Sequence, residues 1–146
     1  MLTDSAASIT AGNTSDPRVQ QIEGFLQDNV TASQTNVEVT RAWGRFKTPR
    51  AGTVTGLLAM LEASQVRTAG TLTIALYYAT IDATTGVRSE VALGVTAVLN
   101  STNLAYAYSA ADADVPALAE VYPKITTDSG WTPTTADLKV SFLFEA

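Results

Sequence analysis

The sequence predicts an all-β fold: an eight-stranded antiparallel jelly-roll sandwich with a flexible N-terminal arm. Three observations predict it. The stretch Arg50 to Ile81 states one phrase twice, since Ala51-Gly52-Thr53-Val54 and Ala69-Gly70-Thr71-Leu72 each place a small residue, Gly and Thr ahead of β-forming residues. Each Gly punctuates a turn, and each run behind it reads as a strand. Turn signals then recur along the chain at the spacing of sandwiches and barrels. Strand-like and helix-like segments do not alternate, which argues against a parallel α/β sheet.

The elements follow in order. Residues 1–16 are small and polar, with Asp4, Gly12, Asn13 and Asp16, and cannot bury enough apolar surface to fold alone. They read as an arm, either disordered or ordered only against a neighbour, and residues 17–146 read as the jelly-roll domain. Asp16-Pro17 has the form of a helix start, and Val19, Ile22 and Leu26 have helical spacing. Gly24 weakens that helix, so a turn followed by a strand over Phe25–Thr31 is preferred. Asn36 to Phe46 is the next strand, stopped by Pro49. Thr53 to Ala63 follows, with Thr55/Leu57/Ala59/Leu61 on one face and Val54/Leu58/Met60 on the other. Both faces are largely apolar, so this strand is expected to be covered on both sides. Thr71 to Ile81 alternates with Leu72, Ile74, Leu76 and Tyr78 inward. Asp82-Ala83-Thr84-Thr85-Gly86 closes a hairpin into Val87 to Leu99, where Val91, Leu93 and Val95 share a face. A short strand holds Leu104, Tyr106 and Tyr108, and Asp112 to Pro116 reads as a loop. Val121 to Thr127 and Leu138 to Glu145 complete the set, the last with Leu138, Val140, Phe142 and Phe144 on one face.

Composition narrows the function. A chain of 146 residues is one domain by size, and can bury roughly 70% of its unfolded surface in a single core. It has no Cys and no His. Disulfides, thiolate zinc sites and Cys nucleophiles are therefore excluded, and so are the commonest general base and transition-metal ligand. The net charge of −5 argues against nucleic acid, because phosphate neutralisation favours a basic excess. MLTDSAASIT lacks a basic start and a long apolar run, so no secretory signal is expected there. No segment reaches the roughly 20 apolar residues that span a bilayer. Nucleophile-elbow, phosphate-loop and zinc motifs are absent. No enzyme activity, cofactor, metal site or membrane partner is expected.

Two constellations stand out. Four of the nine basic residues, Arg41, Arg45, Lys47 and Arg50, fall within ten positions. On a regular strand Arg41, Trp43, Arg45 and Lys47 would share one face, with Arg stems stacked on the indole. Such a face is either a solvated one whose Trp is shielded, or an interface stripe that meets an acidic partner; a single-stranded nucleic acid platform is the weakest reading. Trp131, in Asp128-Ser129-Gly130-Trp131-Thr132-Pro133, is either a loop aromatic that stacks on a sugar or a lid folded back on the sandwich end. The carboxylates at Asp82, Asp112, Asp114, Glu120 and Asp128 lack the spacing of a calcium loop, and a glycosidase pair at Asp112 and Asp114 is the least favoured function.

Trp43-Gly44-Arg45-Phe46, Pro49-Arg50-Ala51-Gly52-Thr53-Val54-Thr55-Gly56-Leu57, Thr68-Ala69-Gly70-Thr71-Leu72-Thr73-Ile74 and Ile125 through Leu138 resemble the β modules of tailed-phage structural proteins. The likeness covers roughly residues 40 to 145. It implies a jelly roll, usually trimeric, used as a capsid decoration (cement) protein or as a domain of a head or tail fibre, with no catalytic residues to carry over. One domain and a short arm suit decoration better than a fibre, which adds a long shaft. The expectation is a virion protein made in the host cytoplasm and bound as a homotrimer to the major capsid protein. Arg41, Trp43, Arg45, Lys47 and Arg50 would make shell or neighbour contacts, and the two-faced strand Thr53–Ala63 an intersubunit surface. The alternative is a fibre module that recognises host glycans through Trp131.

Overall fold

A computed structural model describes residues 19–62 and 65–146. The expected arm, residues 1–16, and the expected end of one strand at Ala63 lie outside the described residues. Nine strands occur among the described residues: β1 (Val19–Gln27), β2 (Val37–Glu38), β3 (Phe46–Lys47), β4 (Gly52–Leu61), β5 (Leu72–Ile81), β6 (Arg88–Leu99), β7 (Tyr106–Val115), β8 (Glu120–Thr127) and β9 (Leu138–Glu145). They form two antiparallel sheets, one ordered β1-β9-β4-β7 and the other β2-β8-β5-β6, with β3 also paired to β8. The fold is the predicted jelly-roll sandwich. No helix among the described residues is long and apolar enough to cross a membrane.

The core lies between the sheets and follows from period-two alternation. Leu138, Val140, Phe142 and Phe144 of β9 are all buried, facing Leu72, Ile74 and Leu76 of β5 and Ile125 of β8. Full burial of each such side chain contributes about 1.5–3 kcal/mol relative to exposure. Phe25 and Phe46 close around Phe142, with ring centroids 5.8 Å from it in both cases. The β5–β6 turn is tied as expected: Asp82 Oδ1 accepts from the amides of Thr84 and Thr85 at 2.8 and 2.9 Å. These bonds, Thr85's first, hold the Asp82 carboxyl below its ordinary value.

Five expectations are corrected. The first strand is Val19–Gln27 and not Phe25–Thr31, with Gly24, at φ 95°, taken up in a register shift between Ile22 and Phe25. Asn36–Phe46 is not one strand. It is β2, a lone bridge from Arg41 to Phe25, and β3. Asn36 and Gly44, at φ 47° and 92°, turn the chain where a strand would run straight, and this split raises the strand count from eight to nine. The loop expected at Asp112–Pro116 is mostly strand, since β7 runs to Val115; its acids occupy exposed positions of an edge strand, where charge is tolerated. In β4 a register shift between Val54 and Gly56 moves Val54 into the core with Leu57, Ala59 and Leu61, leaving Leu58 and Met60 outside. A shift in the β5–β6 pairing between Ala75 and Tyr77 likewise separates Val95, which is buried, from Val91, which is exposed.

Candidate functional site

The two outer faces of the sandwich differ in chemistry. On the five-stranded sheet, charged side chains pair with one another. Arg45 bridges Glu38 at 3.0 Å and Glu120 at 2.9 Å. Lys124 meets Glu90 at 2.7 Å, and Arg88 meets Glu90 at 3.7 Å. The Tyr122 ring lies beneath this lattice, fully buried, with the Arg45 and Arg88 guanidinium groups 5.5 and 5.1 Å from its centroid. Its hydroxyl donates to Glu90. Burial, then the Glu90 bond and charge, raises the Tyr122 phenol above its ordinary value. Hydrogen bonds from Lys124 and Tyr122 hold the Glu90 carboxyl down. For Arg45, burial acts to lower the pKa, but Glu120 and Glu38 outweigh it and the net shift is upward. This face is satisfied internally.

The outer face of the four-stranded sheet bears Glu23 and Lys139 at the groove and Asp112 and Asp114 along β7, and is mostly apolar between them. Register places its residues in rows across β1, β9, β4 and β7: Leu26–Lys139–Met60–Tyr106 is one, and Gln21–Leu143–Gly56–Ala110 another. Between them lie Ser141, Leu58 and Tyr108. Two aromatic rings sit against glycines at the bulges. A Cβ on Gly24 (φ 95°) would come 2.6 Å from the Trp43 ring, and one on Gly56 would clash with the Tyr108 hydroxyl. The glycines are therefore seats for these rings. Arg41 steadies Trp43 with its guanidinium 4.9 Å from the ring, and donates to the Glu23 carbonyl at 2.7 Å. Between Trp43 and Tyr108 run two adjoining grooves of about 440 and 200 Å³, floored by Leu58, Ser141 and Gln21.

The exposed share of the large side chains gives this face its size. Trp43, Tyr106 and Tyr108 are 66%, 65% and 54% exposed, and Met60 and Leu26 are 40% and 39% exposed. With 150–250 Å² per aromatic side chain, they offer on the order of 500 Å² of largely apolar surface, near the top of what a soluble monomer leaves bare.

The stripe read from the sequence over Arg41, Trp43, Arg45 and Lys47 is therefore divided. Arg41 and Trp43 stand on the four-stranded sheet. Arg45 is engaged over the other sheet, turned away by the bend at Gly44. Lys47 is exposed on β3, and Arg50 donates to the Ala146 carbonyl at 3.1 Å. Trp131 is not an exposed tip: it is 1% exposed, and its Nε1–H donates to the Val30 carbonyl at 3.1 Å. It is the lid, and in this position it cannot stack on a sugar. Sequence reasoning missed Tyr106 and Tyr108 as surface residues, because their exposure follows from β7 lying at the edge of its sheet, which no local signal in the run marks. Among the described residues no group of three or more His, Cys, Asp or Glu is placed to hold a metal ion.

Neither a protein-family profile nor a curated protein matches the chain. Solved structures resemble it in fold. A structure of infectious bursal disease virus, Gx strain, aligns over 88% of this chain and 31% of its own, with 14% identity and a TM-score of 0.50. A crystal structure of the infectious bursal disease virus particle aligns over 90% of this chain and 31% of its own at 15% identity and a TM-score of 0.48. Xylanase modules of Clostridium thermocellum complexed with xylohexaose align over 88% and 24% at 14% identity and a TM-score of 0.41. The chain thus spans about a third or less of the length of each. At these identities the likeness is one of fold: a jelly-roll module of the kind found in a viral particle.

Proposed function

We propose that this chain is a structural protein of a virus particle and, within that class, a decoration (cement) protein of a tailed-phage capsid. In this reading a homotrimer, made in the host cytoplasm, seats on the major capsid protein of the assembled shell and stabilises it. The observation that carries the reading is the bare apolar face of the four-stranded sheet, a surface suited to being covered by protein, on a fold shared with a viral particle structure. The sequence resemblance supplies the tailed-phage assignment. Binding the assembled shell and not its separated subunits stabilises the shell by linkage, by RT ln(1 + [L]/Kd). Of the basic residues, Lys47 and Arg50 remain for shell contact with the segment 1–16, Arg45 being spent within the chain. The fibre alternative, glycan recognition through Trp131, loses its stacking residue to the core.

The test uses heads of the phage that encodes this chain, prepared without it. Added protein should sediment with them and appear as density on the shell surface in image reconstructions. Removing residues 1–16 should weaken this binding while leaving the fold intact. Density confined to the tail, or none, refutes the reading; undiminished binding by the shortened chain refutes the role of the arm.

A further inference from the structure

The sandwich is open along one side, where β6 and β7 are the edges of their sheets. The Ser109 hydroxyl donates to the Thr96 carbonyl at 2.5 Å and ties the two strands at that level. Past the tie they part around a gap of about 310 Å³, which runs back along β6 to Leu93 and on along β7 to Ala113. The row Val121–Tyr78–Val91 crosses the sheet beside it. Val121 is wholly buried and Val91 is 44% exposed, so an apolar row on the core side of the sheet ends bare at its edge. Leu93, Ala111 and Ala113 are only partly buried. Among the described residues, the side of β6 away from β5 has no strand partner from Arg88 to Gly94, and Arg88 to Ala92 are all exposed. Natural sheets cover or blunt so long an edge.

We infer that residues 5–12 of this same chain cover the gap, laid as an added strand along β6. The edge requires an extended chain, because only a strand offers amides and carbonyls at sheet spacing while it points alternate side chains inward. Three observations name the segment. The first is reach. Val19 stands in one row with Glu145, Thr53 and Asp114. The residues before it therefore leave the sheet at the end where the gap opens, three strand spacings or about 14 Å from β7. Residues 14–18 span about 16 Å when extended, and Gly12-Asn13 supply turn residues. The second is pattern. Ser5-Ala6-Ala7-Ser8-Ile9-Thr10-Ala11-Gly12 puts Ala7, Ile9 and Ala11 on one side of a strand. Ile9 would meet Val91 and Leu93, and the small residues suit a gap walled by alanines. Eight residues cover about 26 Å, against about 23 Å for the seven from Arg88 to Gly94. They carry no charge to set against Asp112, the one charged residue lining the gap. The third is direction. β6 and β7 run oppositely away from the Thr96–Ser109 tie. A segment that finishes near Asp114 runs with β7 and against β6, which is the stronger pairing. The inference does not rest on the capsid reading, and it leaves residues 1–4 and 13–16 available to a shell.

Amide hydrogen exchange along β6 tests the inference on three chains: the full chain, Ile9→Asp, and one lacking residues 1–12, each checked for native circular dichroism. Amides of Arg88 to Gly94 that point away from β5 should exchange about tenfold or more slowly in the full chain than in either variant, while those that point to β5 stay unchanged. Equal exchange in the full and shortened chains overturns the added strand, and protection that survives Ile9→Asp overturns the inward placing of Ile9. The source of the segment is read from thiols, since the chain has no cysteine. Ile9→Cys combined with Leu93→Cys should oxidise to a disulfide within one chain, at a yield that does not change on dilution. A disulfide that forms only between two chains, and fades on dilution, assigns the segment to a neighbour and overturns the inference. Binding to heads is scored separately: heads bound by a chain with an unprotected edge sink this contact alone, and a protected edge on a chain that ignores heads sinks the capsid reading alone.

Discussion

Replacing Trp131 tests whether the loop between β8 and β9 is part of the core. The side chain is 1% exposed and donates to the carbonyl of Val30, itself wholly buried. Truncation to alanine removes the largest fully buried side chain and leaves a cavity, at about 3–5 kcal/mol for such a change. It also leaves the Val30 carbonyl without its donor, a further cost of about 1 kcal/mol. The total, about 4–6 kcal/mol, is a large part of the 5–15 kcal/mol that holds a domain together. With a urea slope of about 2 kcal/mol/M, the unfolding midpoint should fall by about 2–3 M, and the melting temperature by about 10–20 °C. Trp131→Phe keeps most of the apolar volume and loses the donor, so it should cost about 1–2 kcal/mol and fall between the two. Urea and thermal unfolding followed by far-ultraviolet circular dichroism would measure the order. A Trp131→Ala chain within about 1 kcal/mol of the parent would refute the lid and return the indole to the surface.

Two further outcomes follow from polar groups paired within the fold. Thr48 is wholly buried; its hydroxyl donates to the Pro116 carbonyl at 2.8 Å and accepts from the Ala119 amide at 2.9 Å. Thr48→Val keeps the shape and strands both partners, so it should lose about 2–3 kcal/mol in chemical denaturation; a neutral result would refute the pairing. The Tyr122–Glu90 pair sets pH limits at both ends. The Tyr122 phenol is raised in the folded chain, so its stabilisation is complete below the unfolded value of about 10 and is lost as pH rises beyond it. The Glu90 carboxyl is lowered, so its contribution is present above the unfolded value of about 4.3 and is lost as pH falls. Tyr122→Phe should flatten the alkaline limb of the stability profile and Glu90→Gln the acid limb; unchanged slopes would refute the linkage.

The sandwich was legible where one side of a strand is apolar over several alternations. Leu138 to Phe144 and Leu72 to Leu76 point inward as the period of two requires. Register shifts were not legible, because a bulge changes the facing of residues without changing their order: Val54 reads as a partner of Leu58 and Met60, yet faces the core. The run from Asn36 to Lys47 alternates well enough to read as strand, but the bend at Gly44 is local and sends Arg45 to one sheet while Trp43 stays over the other. The outer site was half legible. Leu58 and Met60 form a second apolar face of their strand in the sequence, whereas the ridge of Tyr106 and Tyr108 depends on where an edge strand falls in the sheet order, which no local pattern encodes. Trp131 sits among polar loop residues, and only its distant contact with Val30 explains its burial.

The chain has two tryptophans, and they lie at opposite extremes of solvent access. Indole emission shifts to the blue when shielded and is quenched by collision when open. A small solute such as acrylamide should therefore dim Trp43 and spare Trp131. The native sequence thus carries two intrinsic optical reporters, one answering to loss of the folded state and the other to anything that settles on the face beside it. Mixing experiments could time the two events apart, with no dye attached.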